Sequence, residues 1–103
     1  MTFHAVVRDD DLWVDEMKGV EIDGEPVLLV RLDDGVHAYA DRCAHKGVKL
    51  SEGRLHRAEL TCAAHGWCFD ARTGGGLNPR GVALRPLAVK IEHGDVLVAL
   101  DAG

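Results

Sequence analysis

Cys43-Ala44-His45 and Cys62-Ala63-Ala64-His65 each offer one thiol and one imidazole, and 16 residues lie between His45 and Cys62. Soft sulfur and borderline nitrogen donors gathered from separate loops are what a transition-metal site requires. When two irons share two bridging sulfides, each iron needs two protein ligands. A Cys pair on one iron and a His pair on the other would use all four residues. Zinc accepts the same donor types, although its sites usually group Cys with Cys and His with His, and this order alternates. A Cys/His nucleophile pair needs one of each and leaves the second set without a role. Four unrelated core and surface residues are the bland alternative. The spacing points to a metal centre, with iron–sulfur, zinc and thiol catalysis all open at this level.

Whatever these residues hold, something rigid must position them. A chain of 103 residues is expected to form one domain, with a modest core and no room for a second catalytic one. Hydrophobic residues at 47% and charged residues at 28% are ordinary globular values. The longest apolar runs, Val27–Val30 and Val96–Leu100, are too short for a membrane-crossing helix. No basic segment followed by an apolar stretch opens the chain. Of three Cys, two are assigned as ligands, so a cytoplasmic, reducing compartment is expected. A formal net charge of −5 argues against nucleic acid and suggests an acidic protein that meets more basic surfaces. Net charge does not locate the contact face, and Arg42, Lys46 and Lys49 put positive charge beside the first Cys-His pair.

The chain reads as short strands separated by turns. Phe3–Val7 is a candidate first strand, and Asp9-Asp10-Asp11 precedes Leu12-Trp13 as a helical turn or solvated bend. Val20–Ile22 and Val27–Arg31 flank Asp23-Gly24-Glu25-Pro26, a hairpin signal. Asp33-Asp34-Gly35 turns the chain into Val36–Ala40, where alternation puts His37 and Tyr39 on one face. Leu55–Cys62 is expected to be a strand rising to the second pair, and Cys68–Ala71 leads away to Thr73-Gly74-Gly75-Gly76. That glycine run lacks the Lys-Ser/Thr that would cradle phosphate and reads as a turn. Val89–Glu92 and Val96–Leu100 flank His93-Gly94-Asp95 as a last hairpin. The expected class is all-β.

Cys-x-His-x16-Cys-x-x-His, followed by Leu50-Ser51-Glu52-Gly53, His65-Gly66-Trp67-Cys68-Phe69-Asp70 and Thr73-Gly74, resembles the Rieske ferredoxins over nearly the whole chain. Asp11-Leu12-Trp13-Val14-Asp15-Glu16-Met17, Trp67 and Gly74-Gly75-Gly76-Leu77-Asn78-Pro79 are similar to the ferredoxins of toluene monooxygenases. The resemblance implies an antiparallel β-sandwich base with a small cluster-binding lobe at about 41–70 and a covering loop at about 74–81. It implies one Rieske [2Fe–2S] cluster held by Cys43, His45, Cys62 and His65, with the Cys inside and both His at the tip. It also implies a one-electron carrier without chemistry of its own, a monomer that binds neither nucleic acid nor membrane. Such a carrier takes electrons from an NADH-dependent flavin or iron–sulfur reductase and passes them to a diiron hydroxylase that oxidises aromatic hydrocarbons. The ferredoxin of a ring-hydroxylating dioxygenase is the alternative.

The respiratory-complex Rieske type adds a disulfide between the ligand loops and hydroxyl donors near the sulfurs. Val48 and Ala64 stand at the disulfide positions, and Trp67 and Phe69 at those of the hydroxyl donors. A low reduction potential is expected. Trp67, Lys46, Gly47 and Pro79 are candidates for docking or cluster shielding, with loop packing the plainer role for Trp67. Cys68 is expected to be a small buried residue, and His4, His37, His56 and His93 to be surface or strand residues.

Overall fold

The computed structural model describes residues 2–43, 48–64 and 66–100. Ten strands run in chain order as β1 (His4–Arg8), β2 (Glu16–Ile22), β3 (Glu25–Leu32), β4 (Gly35–Ala40), β5 (Arg54–His56), β6 (Glu59–Thr61), β7 (Cys68–Asp70), β8 (Gly76–Asn78), β9 (Pro86–Glu92) and β10 (Asp95–Ala99). Two single turns of 3-10 helix, Asp9–Asp11 and Leu50–Glu52, are the helical elements among the described residues. None of the described helices is long and apolar enough to cross a membrane.

The strands form two antiparallel sheets, as an all-β chain with short connections should. The base is six-stranded in the order β1-β10-β9-β4-β3-β2, and the lobe is four-stranded in the order β5-β6-β7-β8. Edge strands β1 and β2 of the base approach each other, so the base curls toward a barrel. Glycine marks its tight turns: Asp23 and Gly24 take φ of 51° and 81°, and His93 and Gly94 take 54° and 82°.

Strand β3 holds the two layers together. Val27, Leu28, Leu29 and Val30 are all 0% exposed, because each face of the strand meets a separate core. Val27 and Leu29 point into the base with Leu12, Ala38, Val96 and Val98. Leu28, Val30 and Leu32 point toward the lobe with Tyr39, Leu50, Leu60 and Phe69. An uninterrupted apolar run is what a strand covered on both sides needs. Burying each such side chain contributes on the order of 1.5–3 kcal/mol.

Two expectations need correction. Leu55–Cys62 is not one strand: it breaks into the β5–β6 hairpin at Arg57 and Ala58, whose φ values are 49° and 67°. Neither residue is a usual turn former, and the turn is tied down by the Ala71 N–H donating to the Ala58 carbonyl at 2.8 Å. Cys68 is half-buried rather than buried. Phe69 takes the inward position of β7, so alternation turns its neighbour outward, where the Cys68 Sγ lies 3.4 Å from the Gly66 carbonyl.

Candidate metal centre

Cys43 follows the end of β4 and Cys62 follows the end of β6, so one thiol comes from the base and one from the lobe. Both sit in the core between the layers, 3% and 2% exposed, against Leu50, Leu60, Phe69 and Leu84. The two thiols share one buried cluster and lie close enough to influence each other. Burial pushes the Cys62 thiol above its ordinary pKa, the adjoining Cys43 adds to this, and the Ala64 backbone pulls the other way. Two unoxidised sulfurs, shielded from water and facing one another, suit a cation that would replace their protons.

Each Cys opens a loop closed in the same way. The Cys43 N–H donates to the Val48 carbonyl at 2.7 Å, and the Cys62 N–H donates to the Trp67 carbonyl at 2.7 Å. Both bonds tie a residue to the fifth one after it, and in the sequence each loop carries one His between its tied ends. His45, Lys46, Gly47 and His65 lie outside the described residues. Among the described residues no three His, Cys, Asp or Glu side chains converge. The described half of the donor set, two adjacent buried sulfurs heading matched loops, fits an iron–sulfur cluster.

Trp67 is half-buried and packs against the core that holds both thiols. Pro79, also half-buried, follows a cis peptide bond with Asn78. Its loop is closed by the Gly76 N–H donating to the Val82 carbonyl and the Leu84 N–H donating to the Gly74 carbonyl, both at 2.8 Å. Leu84 and Val82 pack on the core of the two thiols, and Ala83 lines a cleft with Cys43, Arg42 and Arg85. His37 hydrogen-bonds Asp34, and His4, His56 and His93 lie on or beside base and lobe strands.

Sequence reasoning missed the residues that brace the first loop. Asp41 is 1% exposed, and its carboxylate accepts the Ser51 N–H at 2.9 Å and the Ser51 hydroxyl at 2.6 Å. It also missed Tyr39, whose hydroxyl donates to the Ala71 carbonyl at 2.8 Å and joins base to lobe. A glycine inside a strand, Gly19 of β2, was the available signal, since such a position often marks a close approach. A Cβ there would stand 2.7 Å from the Ser51 Oγ.

Comparison with known proteins agrees with the geometry. The Rieske [2Fe-2S] domain family matches residues 2–88. The ferredoxin component of the alkene monooxygenase system of Xanthobacter autotrophicus is 40% identical over 93 residues, covering 89% of this chain and 76% of that one. The ferredoxin component of biphenyl 2,3-dioxygenase from Rhodococcus jostii is 36% identical over 104 residues, covering 100% of this chain and 97% of that one. Among solved structures, the ferredoxin of carbazole 1,9a-dioxygenase from Nocardioides aromaticivorans is 30% identical with a TM-score of 0.86, covering 96% of this chain and 98% of that one. A complex of reduced oxygenase and oxidised ferredoxin in carbazole 1,9a-dioxygenase contains a chain that matches at 29% identity and a TM-score of 0.89. The match covers 98% of this chain and 95% of that chain.

Proposed function

Because the chain belongs to the Rieske [2Fe–2S] domain family, we propose that it carries single electrons to the hydroxylase of a multicomponent monooxygenase, as a non-catalytic ferredoxin component. Cys43 and Cys62 would hold one iron and His45 and His65 the other. The bound cluster supplies storage for one electron. The core around Cys43 and Cys62 keeps water from their sulfurs, the two backbone closures fix where each Cys stands, and both Cys share that core with β3. The adjacency of two buried thiols at the heads of two like-closed loops carries this reading.

The donor is an NADH-dependent flavin or iron–sulfur reductase and the acceptor a diiron hydroxylase acting on aromatic hydrocarbons. The carrier is a cytoplasmic monomer of one domain, with residues 41–70 as the cluster-binding lobe and 74–81 as its cover. The alkene monooxygenase ferredoxin, at 40% identity, supports a monooxygenase acceptor. The likeness to the biphenyl and carbazole dioxygenase ferredoxins supports a dioxygenase as the second reading.

Purified protein should contain two irons and two acid-labile sulfides and give a paramagnetic signal of mixed ligation on reduction. Replacing both His45 and His65 with Ala should abolish that spectrum. A colourless preparation with stoichiometric zinc, or a spectrum that survives loss of both His, would end the reading. Mixing chemically reduced protein with a diiron hydroxylase and with a Rieske dioxygenase separates the two acceptors, and faster oxidation by the hydroxylase is expected.

A further inference from the structure

The cations of this chain divide by location. Over much of the molecule they are paired: Arg8 with Asp95 at 2.8 Å, Arg31 with Asp9, Arg72 with Asp33 at 2.6 Å, and Lys90 with Glu92 at 3.3 Å. Beside the thiols the pattern reverses. Arg42, Lys49, Arg54, Arg80 and Arg85 are exposed, and none pairs with a carboxylate among the described residues. Two further unpaired cations, Lys18 on β2 and Arg57 at the β5–β6 turn, stand apart from them.

Five unpaired cations flank the two Cys loops and the Pro79 loop. Arg42 and Arg85 line one cleft with Cys43, where Glu25 is the carboxylate present. Arg54 lines another with Cys62, where Glu52 is the carboxylate. Lys49 follows the first Cys loop, and Arg80 follows Pro79. Lys49 shares its pocket with Glu21 and the buried Asp41, so five exposed cations stand against three exposed carboxylates, Glu21, Glu25 and Glu52, although the whole chain carries −5.

We propose that the surface around the two Cys loops docks on an acidic surface of its oxygenase partner, gripped by Arg42, Lys49, Arg54, Arg80 and Arg85. This rests on the carrier reading and adds the partner's charge, which is opposite to the one a net charge of −5 selects. Guanidinium groups suit the role because their planar donor forks match carboxylates bidentately. Charge complementarity of this kind sets encounter rate and orientation.

The test uses two small oxidants of opposite sign, ferricyanide and hexaammineruthenium(III), mixed with the reduced holoprotein at rising salt. A positive local field makes oxidation by ferricyanide slow as salt rises, whereas net charge alone would make it quicken. Arg42→Glu/Arg85→Glu should cut the low-salt ferricyanide rate at least about threefold and raise the ruthenium rate. Lys18→Glu/Arg57→Glu, the same charge change away from the thiols, should leave both unchanged. Retention on heparin, which needs no cluster, should fall for Arg42→Glu/Arg85→Glu and stay at the wild-type value for Lys18→Glu/Arg57→Glu. A ferricyanide rate that climbs with salt, or equal effects of the two reversals, would overturn the proposal. Absence of a Rieske spectrum would overturn the carrier reading instead, and the heparin comparison would still decide whether the surface around the Cys loops is the positive one.

Discussion

Asp41 and Ser51 grip the first Cys loop at both ends: Asp41 stands two residues before Cys43, and its buried carboxylate takes both the N–H and the hydroxyl of Ser51. The Asp41 N–H donates to the Pro26 carbonyl at 3.1 Å, so the clamp is anchored on β3. Hydrogen bonds to a charged acceptor are worth about 1.5–3 kcal/mol each, more than neutral ones. Ser51→Ala, which keeps the backbone bond, should lose about 1.5 kcal/mol in urea unfolding, and Asp41→Ala about twice that. Gly19→Val should reproduce the damage from the other side, since its Cβ would crowd the Ser51 Oγ at 2.7 Å. All three should bleach faster in the presence of an iron chelator. Unfolding of Asp41→Ala within about 0.5 kcal/mol of wild type would remove the clamp from the account.

The β5–β6 turn offers a stability gain. Arg57 and Ala58 occupy left-handed backbone at φ 49° and 67°, a conformation costing roughly 1–2 kcal/mol per non-glycine residue. Asn-Gly is the favoured pair for this geometry. Arg57→Asn/Ala58→Gly should therefore raise stability by about 1 kcal/mol, after allowing for the extra freedom glycine brings to the unfolded chain. A lower urea midpoint in the double variant would mean that packing of the Ala58 methyl on the lobe core outweighs backbone strain.

This turn also shows where sequence reasoning stopped. The Asp23-Gly24 and His93-Gly94 hairpins were legible because glycine announces a positive φ, and β3 because its apolar run has no polar break. Arg57-Ala58 carries no such mark; its conformation is supported by a bond to Ala71, thirteen residues after Ala58. The Cys and His spacing was legible as chemistry, and their family match bears out the cluster. The Asp41–Ser51 clamp was not, because an Asp in a sequence does not reveal that it will be buried. Strand β8 was read as covering loop, with Gly76 closing a glycine turn, since Gly76-Leu77-Asn78 becomes a strand only by pairing with β7.

Tyr39 is the one tyrosine of the chain, so its ionisation can be followed by tyrosinate absorbance alone. Burial first, then the Asp70 and Asp34 carboxylates, push its pKa up to about 12. The folded value lies above the ordinary value of 10.0, so the neutral phenol is the form the fold favours. Its contribution is intact below about pH 10 and is lost as pH rises toward 12. Absorbance should therefore titrate near pH 12 and unfolding should accompany it. Tyr39→Phe should lose about 1 kcal/mol at neutral pH with the bond to Ala71, and should flatten the alkaline fall in stability. A tyrosinate midpoint at pH 10 in folded protein would contradict the buried setting.

The residues around the thiols also set an expectation for redox poise. Val48 and Ala64, at the positions where the respiratory type would place its disulfide, pack against the core that holds the thiols, and Phe69 is wholly buried with no hydroxyl to offer. Hydroxyl donors aimed at sulfur stabilise the more negative reduced state, so fewer of them lower the potential. Protein-film voltammetry should place this chain toward the bottom of the roughly −150 to +300 mV Rieske range. Trp67→Ser, which puts a hydroxyl where the high-potential type has one, should move the value upward while leaving the Cys62-to-Trp67 backbone closure intact. A wild-type potential well above zero at neutral pH would show that backbone N–H groups such as that of Ala64 make up for the missing hydroxyls.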